Sequence, residues 1–183
     1  YQTLLRTFVH VFPHATPWRT SNYSILLGST GQTRIDLERL RQRVGGKLVQ
    51  NSLLDVGLGD PFLVLDHFMM DEHALRRFAG EGPLNSDERP YISFAESYGR
   101  KAWHVLASLR QFRTPAMPLI AGPDLPVADA ARLAAGFGAA EHALEGDIYR
   151  LRGDMDAATR AYQQALRINP ADLTSVHFLQ QLD

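Results

Sequence analysis

The residues able to do chemistry fall into four small groups in this 183-residue chain. The first is the histidines. His10 and His14, and His67 and His73, lie close enough in sequence to suggest paired metal ligands. Imidazole suits zinc and related ions, but a site needs further ligands in a recurrent spacing, and no acidic partner completes either pair as a motif. They read as structural or surface histidines, and no metal ligand is assigned. The second group is the stretch Ser52–Asp60, SLLDVGLGD. Glycines of this kind let a backbone approach a bound cofactor ahead of a helix N-terminus. Pro61 stands at the third glycine position, however, and the competing reading is a helix that ends at Gly57 and another that starts at Asp60-Pro61.

The third group is His14–Trp18, HATPW. A proline and a large aromatic at the end of a strand give Trp18 two readings, the wall of a substrate pocket at a sheet edge or a cover for the core. The fourth is the run Asn85–Pro90, NSDERP. Asn85, Ser86 and Asp87 have short polar side chains that close turns onto their own backbone. Arg89 can pair with Asp87 or Glu88, and Pro90 opens a short edge strand, Tyr91–Phe94. Structural punctuation by Asn85, Asp87, Arg89 and Pro90, with Asp87 and Arg89 paired, is favoured over substrate contact. On that reading the chain returns here to a sheet, and charge reversal at Arg89 costs stability rather than ligand affinity. No Gly-x-Ser-x-Gly elbow and no Walker loop occurs.

These groups must be positioned by a scaffold of ordinary composition. Hydrophobic residues make up 45% and charged residues 21%, as in soluble globular domains. Nineteen basic against twenty acidic residues leave a net charge of −1. That removes the electrostatic case for nucleic acid or an anionic membrane as partner. The absence of cysteine excludes disulfides and thiolate metal sites. No uncharged stretch is long enough to span a bilayer. The first residues, YQTLLRTFVHVF, have no signal-peptide layout and look like a cut through a longer protein.

Along the chain, Phe8, Val9, Val11 and Phe12 read as a first strand and Tyr23–Ser29 as a second, with the turn-rich Pro17–Asn22 between them. Helical stripes follow at Ile35–Val44, Leu48–Val56, Phe62–Met69 and Asp71–Phe78. After the NSDERP turn and its strand, Tyr98–Phe112 is helical, with Trp103, Leu106 and Leu109 on one face. Arg113–Pro126 holds four prolines and reads as a linker. The expected class is α+β, predominantly helical, with helix above about 45% against the usual third.

The tail, 127–183, is Ala-rich and helical. Residues 139–172 fit the tetratricopeptide (TPR) repeat. Gly146 and Tyr149 fall on its first helix, Gly153 at the turn, Ala158, Tyr162 and Ala165 on its second, and Pro170 at its end. Gly146 and Ala158 are small where the helices cross, and the tyrosines fill the space beside them. Leu173–Leu182 caps the open side. Asp147, Arg150 and Leu151 are the candidate groove residues for a peptide partner, set against a packing appendage, since about three repeats are needed for independent stacking.

Three pieces of the chain occur in an order that resembles the spermidine synthase-like (polyamine aminopropyltransferase) family. FVHVFPHATPWRTSNYSILLGS looks like the closing hairpin of that fold. GLGDPFLVLDHFMMDEHALRRFAGEGPLNSDERPYISF is similar to the C-terminal extension of its large bacterial members, where an LNTDDRP segment precedes a short strand, matched here by Leu84–Pro90. The TPR tail also occurs in some of them. Ser52–Asp60 looks, separately, like the glycine loop of class I methyltransferases. The family resemblance implies a parent with a Rossmann-like sheet that transfers an aminopropyl group from decarboxylated S-adenosylmethionine to putrescine. In the family the amine attacks the carbon next to the sulfonium, and an aspartate orients and deprotonates it. On this reading the cofactor loop, the ribose-binding acid and the catalytic aspartate lie upstream of Tyr1. The chain then carries only the last strands of the sheet, no catalytic residue and no cofactor, with Trp18 as a shortened counterpart of the aromatic polyamine pocket.

The implied organisation is residues 1–112 as the end of the synthase-like domain with a helical extension, 113–126 as linker and 127–183 as the TPR region. Its partners are the rest of the parent chain and a protein or peptide at the TPR. It is a soluble region, whose parent the resemblance places at the cytoplasmic side of a bacterial inner membrane. The alternative is a non-enzymatic TPR-containing interaction module.

Overall fold

The computed structural model describes residues 1–20, 23–92, 102–122 and 125–181. Among the described residues helix makes up 61% and the strands form one antiparallel hairpin, so the class is α+β and mainly helical.

Helix α1, Gln2–Val11, replaces the expected first strand. Leu5, Phe8, Val9 and Phe12 are spaced i, i+3, i+4, i+7, a helical stripe that outweighs the β preference of valine and phenylalanine. All four enter the main core. Arg6 reaches across to the C-terminal end of helix α5, Glu72–Ala79, where its Nη1 donates to the carbonyl of Ala79 at 2.7 Å. Carbonyls there have no partner within their own helix.

The hairpin lies further along than its apolar run suggests. Strand β1, His14–Arg19, pairs with β2, Ser24–Ser29, with Pro17 opposite Leu26 and Trp18 opposite Ile25. On one face Ala15 and Leu26 enter the main core, and Gly28 sits directly under the Phe12 ring, where a β-carbon would collide. The far edge of β1 is covered. Arg19 N donates to His67 O at 2.8 Å and Met69 N to Pro17 O at 3.0 Å. The far edge of β2 has no strand partner among the described residues.

Among the described residues, five helices begin on aspartate caps. Asp36 caps α2, Leu37–Val44, and Asp60 caps α4, Pro61–Asp66, with Pro61 at the first position. Asp71 caps α5. Each carboxylate accepts from a backbone N–H that the first turn leaves unpaired. Helix α3, Lys47–Asp55, ends before Gly57, whose φ of +73° belongs to the left-handed region. SLLDVGLGD is therefore a helix end followed by a helix start, and no strand precedes its glycines. Helix α4 stops at Asp66 rather than continuing to Met69, because after a turn at His67 the backbone of residues 67–69 bonds β1 instead.

Helix α6, Ala102–Gln111, forms the described part of the expected Tyr98–Phe112 helix; residues 98–101 lie outside the described residues. The proline-rich segment after it is built into the fold. Thr114 N donates to Met69 O at 3.0 Å, and a short parallel bridge joins Ile35 to Ile120. Prolines limit helix here without making a free linker, because these backbone groups find partners elsewhere in the chain. Pro123 and Asp124 lie outside the described residues.

Helix α7, Val127–Arg152, ends on Gly153 at φ +84°. It forms an antiparallel pair with α8, Met155–Ile168, and α9, Leu173–Gln180, closes over them, with Asp154 and Asp172 as caps. The expected last residue, Leu182, lies outside the described residues. Ala139, Ala143, Ala158, Ala165, Tyr162 and Phe178 make the core of this unit. The same α7 sends Leu133 into a second cluster with Leu37, Phe62 and Leu65. It also sends Leu144 and Ile148 into the main core beside Leu5 and Leu75. Each such fully buried leucine contributes about 1.5–3 kcal/mol. The tail is thus a structural spine of the whole chain rather than an appendage.

Candidate functional site

Two polar centres and one groove stand out. The first centre is built on Asp147 of α7, which is only 2% exposed. Its Oδ2 accepts from Arg19 Nη2 at 2.6 Å, and its Oδ1 accepts from the Tyr162 hydroxyl at 2.7 Å. Arg150 Nη2 lies 3.5 Å from Oδ1. Gly146 makes this possible, because a β-carbon there would stand 2.6 Å from the Tyr162 ring. Burial, then the Asp147 charge, pushes the Tyr162 hydroxyl well above its ordinary pKa. Tyr162 stays a donor, and the centre ties the end of β1 to both helices of the C-terminal pair.

The groove opens beside it, with a volume of about 480 Å³. Leu4 of α1, Val105, Leu106 and Leu109 of α6, and Leu151 of α7 supply its apolar lining. Tyr1, Tyr23 and Tyr91 add aromatic surface. Arg19 and Arg150 are the charged side chains facing it among the described residues.

The NSDERP turn borders this groove. Asn85 Oδ1 accepts from Ile92 N at 2.9 Å, and Asn85 N donates to Thr7 Oγ1 at 2.8 Å, which anchors the turn on α1. Ser86 and Arg89 exchange backbone bonds of 3.2 and 3.1 Å. Asp87 and Arg89 are both exposed and form no ion pair with each other. The expected mutual pairing is replaced by backbone closure, which needs neither charge. Pro90 leads into Tyr91 and Ile92, which form a turn rather than the start of a strand; Ser93 and Phe94 lie outside the described residues.

The expected groove residues separate. Arg150 and Leu151 line the opening, whereas Asp147 lies behind it as the buried anchor. Trp18 is elsewhere. Its ring meets Phe68 edge-on at 5.4 Å, its indole N–H donates to Thr16 Oγ1 at 3.0 Å, and it packs on the Leu37–Phe62 cluster. Trp18 covers core and does not line the groove.

The second polar centre left no mark in the sequence. Asp66, at the end of α4, faces a water-sized cavity of about 30 Å³ together with His67, Arg113 and Asp172. Asn169 Nδ2 donates to its Oδ2 at 3.1 Å. Its other oxygen rests on Gly136 of α7, where any β-carbon would overlap it. Burial first, then the nearby carboxylates of Asp172 and Asp60, push the Asp66 carboxyl up to about 7, against the pull of Arg113 and Arg132. Burial lowers the pKa of His67 and of Arg113. Arg113 stacks on Phe137 and pairs with Glu141 at 2.8 Å, while its buried Nε has no partner among the described residues.

His14 Nδ1 contacts Glu72 Oε2 at 2.6 Å, a local tie between β1 and α5. No three described metal-binding side chains cluster as a ligand set. No helix among the described residues is long and apolar enough to cross a membrane. No protein-family model, no curated protein and no solved structure matches the chain.

Proposed function

We propose that this chain is the C-terminal region of a spermidine synthase-like protein, with β1 and β2 as the closing strands of a larger Rossmann-like sheet. The observation that carries the proposal is the state of β2. Ile25 and Leu27, alternate residues on one face, are 48% and 51% exposed, and Tyr23 just before them is 74% exposed. The outer backbone edge of β2 is unpaired among the described residues. A two-stranded hairpin is marginal in water, and an apolar open edge is a template for another strand. A further strand on that edge and a helix over Ile25 and Leu27 meet both needs.

In this reading the parent transfers an aminopropyl group from decarboxylated S-adenosylmethionine to a polyamine, and the present residues contribute no catalytic group. The sheet end, the helical extension and the TPR-like pair then brace the catalytic part. The test is direct. The 183 residues alone are expected to give no transfer to putrescine, while calorimetry on the full protein shows methylthioadenosine binding. Amides of β2 are expected to exchange more slowly in the full protein than in the 183 residues. Transfer by the short chain, no methylthioadenosine binding, or equal exchange overturns the reading.

A second reading, a non-enzymatic TPR-type interaction module, draws on the Gly146–Tyr162 crossing and on Leu151, 41% exposed beside Arg150. Further repeats of about 34 residues in the full protein favour it.

A further inference from the structure

We infer that the groove between α1, α6 and α7 is a binding site for a small carboxylate that carries an aliphatic chain. The inference does not rest on the synthase-like reading, since it uses neither the open edge of β2 nor any residue upstream. The volume, about 480 Å³, lies within the range of small-molecule pockets. Its walls come from α1, both strands, the turn at Tyr91, α6 and α7. Closure by so many separate segments suits a compact molecule better than an extended peptide.

The chemistry of the walls selects the ligand. Leu4, Val105, Leu106 and Leu109 form an apolar floor for a hydrocarbon body. No aspartate or glutamate among the described residues lines the groove, and its charged side chains are guanidiniums. Arg150 is the recognising group. It is partly exposed, and of its five N–H donors it needs only some for its contacts with Asp147, at 3.5 Å, and with the Tyr162 side chain. Asp147 is itself locked by Tyr162 at 2.7 Å, so Arg150 is held at the wall before any ligand arrives. A planar guanidinium at the margin of an apolar floor matches a carboxylate that carries an aliphatic chain.

Titration calorimetry with decanoate, and with decanol as the uncharged control, tests the assignment. Decanoate is expected to bind saturably with one site per chain, and decanol about tenfold or more weakly, the equivalent of one charge-assisted hydrogen bond. Arg150→Gln is expected to abolish that preference. Because Arg150 also contacts Asp147, a second variant is needed that leaves the buried centre alone. Leu151→Glu, at a partly exposed position, places a carboxylate in the lining and is expected to weaken decanoate about tenfold while leaving the melting temperature near wild type. No saturable heat with decanoate, equal affinity for decanol, or wild-type decanoate affinity in Leu151→Glu overturns the inference.

Discussion

Asp147 is buried on α7 and Asp66 is half-buried against the same helix, yet their surroundings are opposite. Asp147 is met by Arg19 at 2.6 Å and Tyr162 at 2.7 Å, with Arg150 at 3.5 Å. Asp66 is met by one neutral amide, Asn169, and shares its neighbourhood with Asp172 and Asp60. The difference teaches that the donors supplied to a carboxylate decide its part in the fold: three donors make Asp147 a cross-link, while burial with a single neutral amide and two nearby carboxylates raises the pKa of Asp66. Each centre also uses a glycine of α7: Gly146 makes room for the Tyr162 ring and Gly136 for the Asp66 carboxylate. Helix spacing puts small residues where another element must come close, and here that device serves two different electrostatic ends.

The comparison can be broken at its strongest side first. Asp147→Ala removes the buried acceptor of the Tyr162 hydroxyl and one partner of the Arg19 guanidinium, which is only 13% exposed. Removing one partner of a buried pair costs about 3–5 kcal/mol, so urea denaturation should show a loss of that size.

The Asp66 side predicts a pH dependence. Its folded pKa is raised from 3.8 to about 7, so the native state holds this proton more tightly than the unfolded chain. Stability from this group is therefore fully present below about pH 4, declines as pH rises toward about 7, and is level above that. The loss over that window is about 2–4 kcal/mol. Asp66→Asn, which cannot ionise, should gain on the wild type progressively from pH 4 to pH 8 in parallel denaturation curves. A constant difference across that range would show that Asp66 does not titrate as its surroundings dictate.

Gly146→Ala sharpens the comparison on a smaller scale. The new methyl drives Tyr162 away from Asp147 at a cost of about 1–3 kcal/mol, partly offset by about 1 kcal/mol of better helix propensity. Thermal melting should therefore show a net loss, and an unchanged melting temperature would mean that the ring moves freely. The smallest effect is expected far from both centres. Arg89→Glu reverses an exposed charge with no ion-pair partner among the described residues, so its melting temperature should correspond to a change within about 0.5 kcal/mol. Asn85→Ala, which loses the bond to Ile92 N, should cost about 1 kcal/mol by the same measurement.

Much of the helical framework was legible from local signals. Asp60-Pro61, Asp71, Gly57 and Gly153 mark real helix ends, because caps and left-handed glycines act within one turn of the chain. The small-residue spacing of Gly146 and Ala158 against Tyr162 also announced a close helix pair. Leu5, Phe8, Val9 and Phe12 were misread for a particular reason. β-branched and aromatic residues favour strands, but the stripe places them on one helical face, and packing against α5 decides in favour of the stripe. The NSDERP turn was legible as a turn, while the pairing assigned to Asp87 and Arg89 was not realised, since backbone closure needs no side-chain charge.

By itself the sequence determined the helix ends marked by aspartate caps and left-handed glycines, the α7–α8 crossing and an ordinary charge balance, because these depend on neighbours within a few residues. Only the tertiary structure decided that Arg19 meets Asp147 across 128 positions, that Asp66 shares a small cavity with Arg113 and Asp172, and that Leu4, Leu106 and Arg150 share one groove. Those contacts join segments with no common period or motif. Their electrostatics exist only once folding has excluded solvent and brought the charges together.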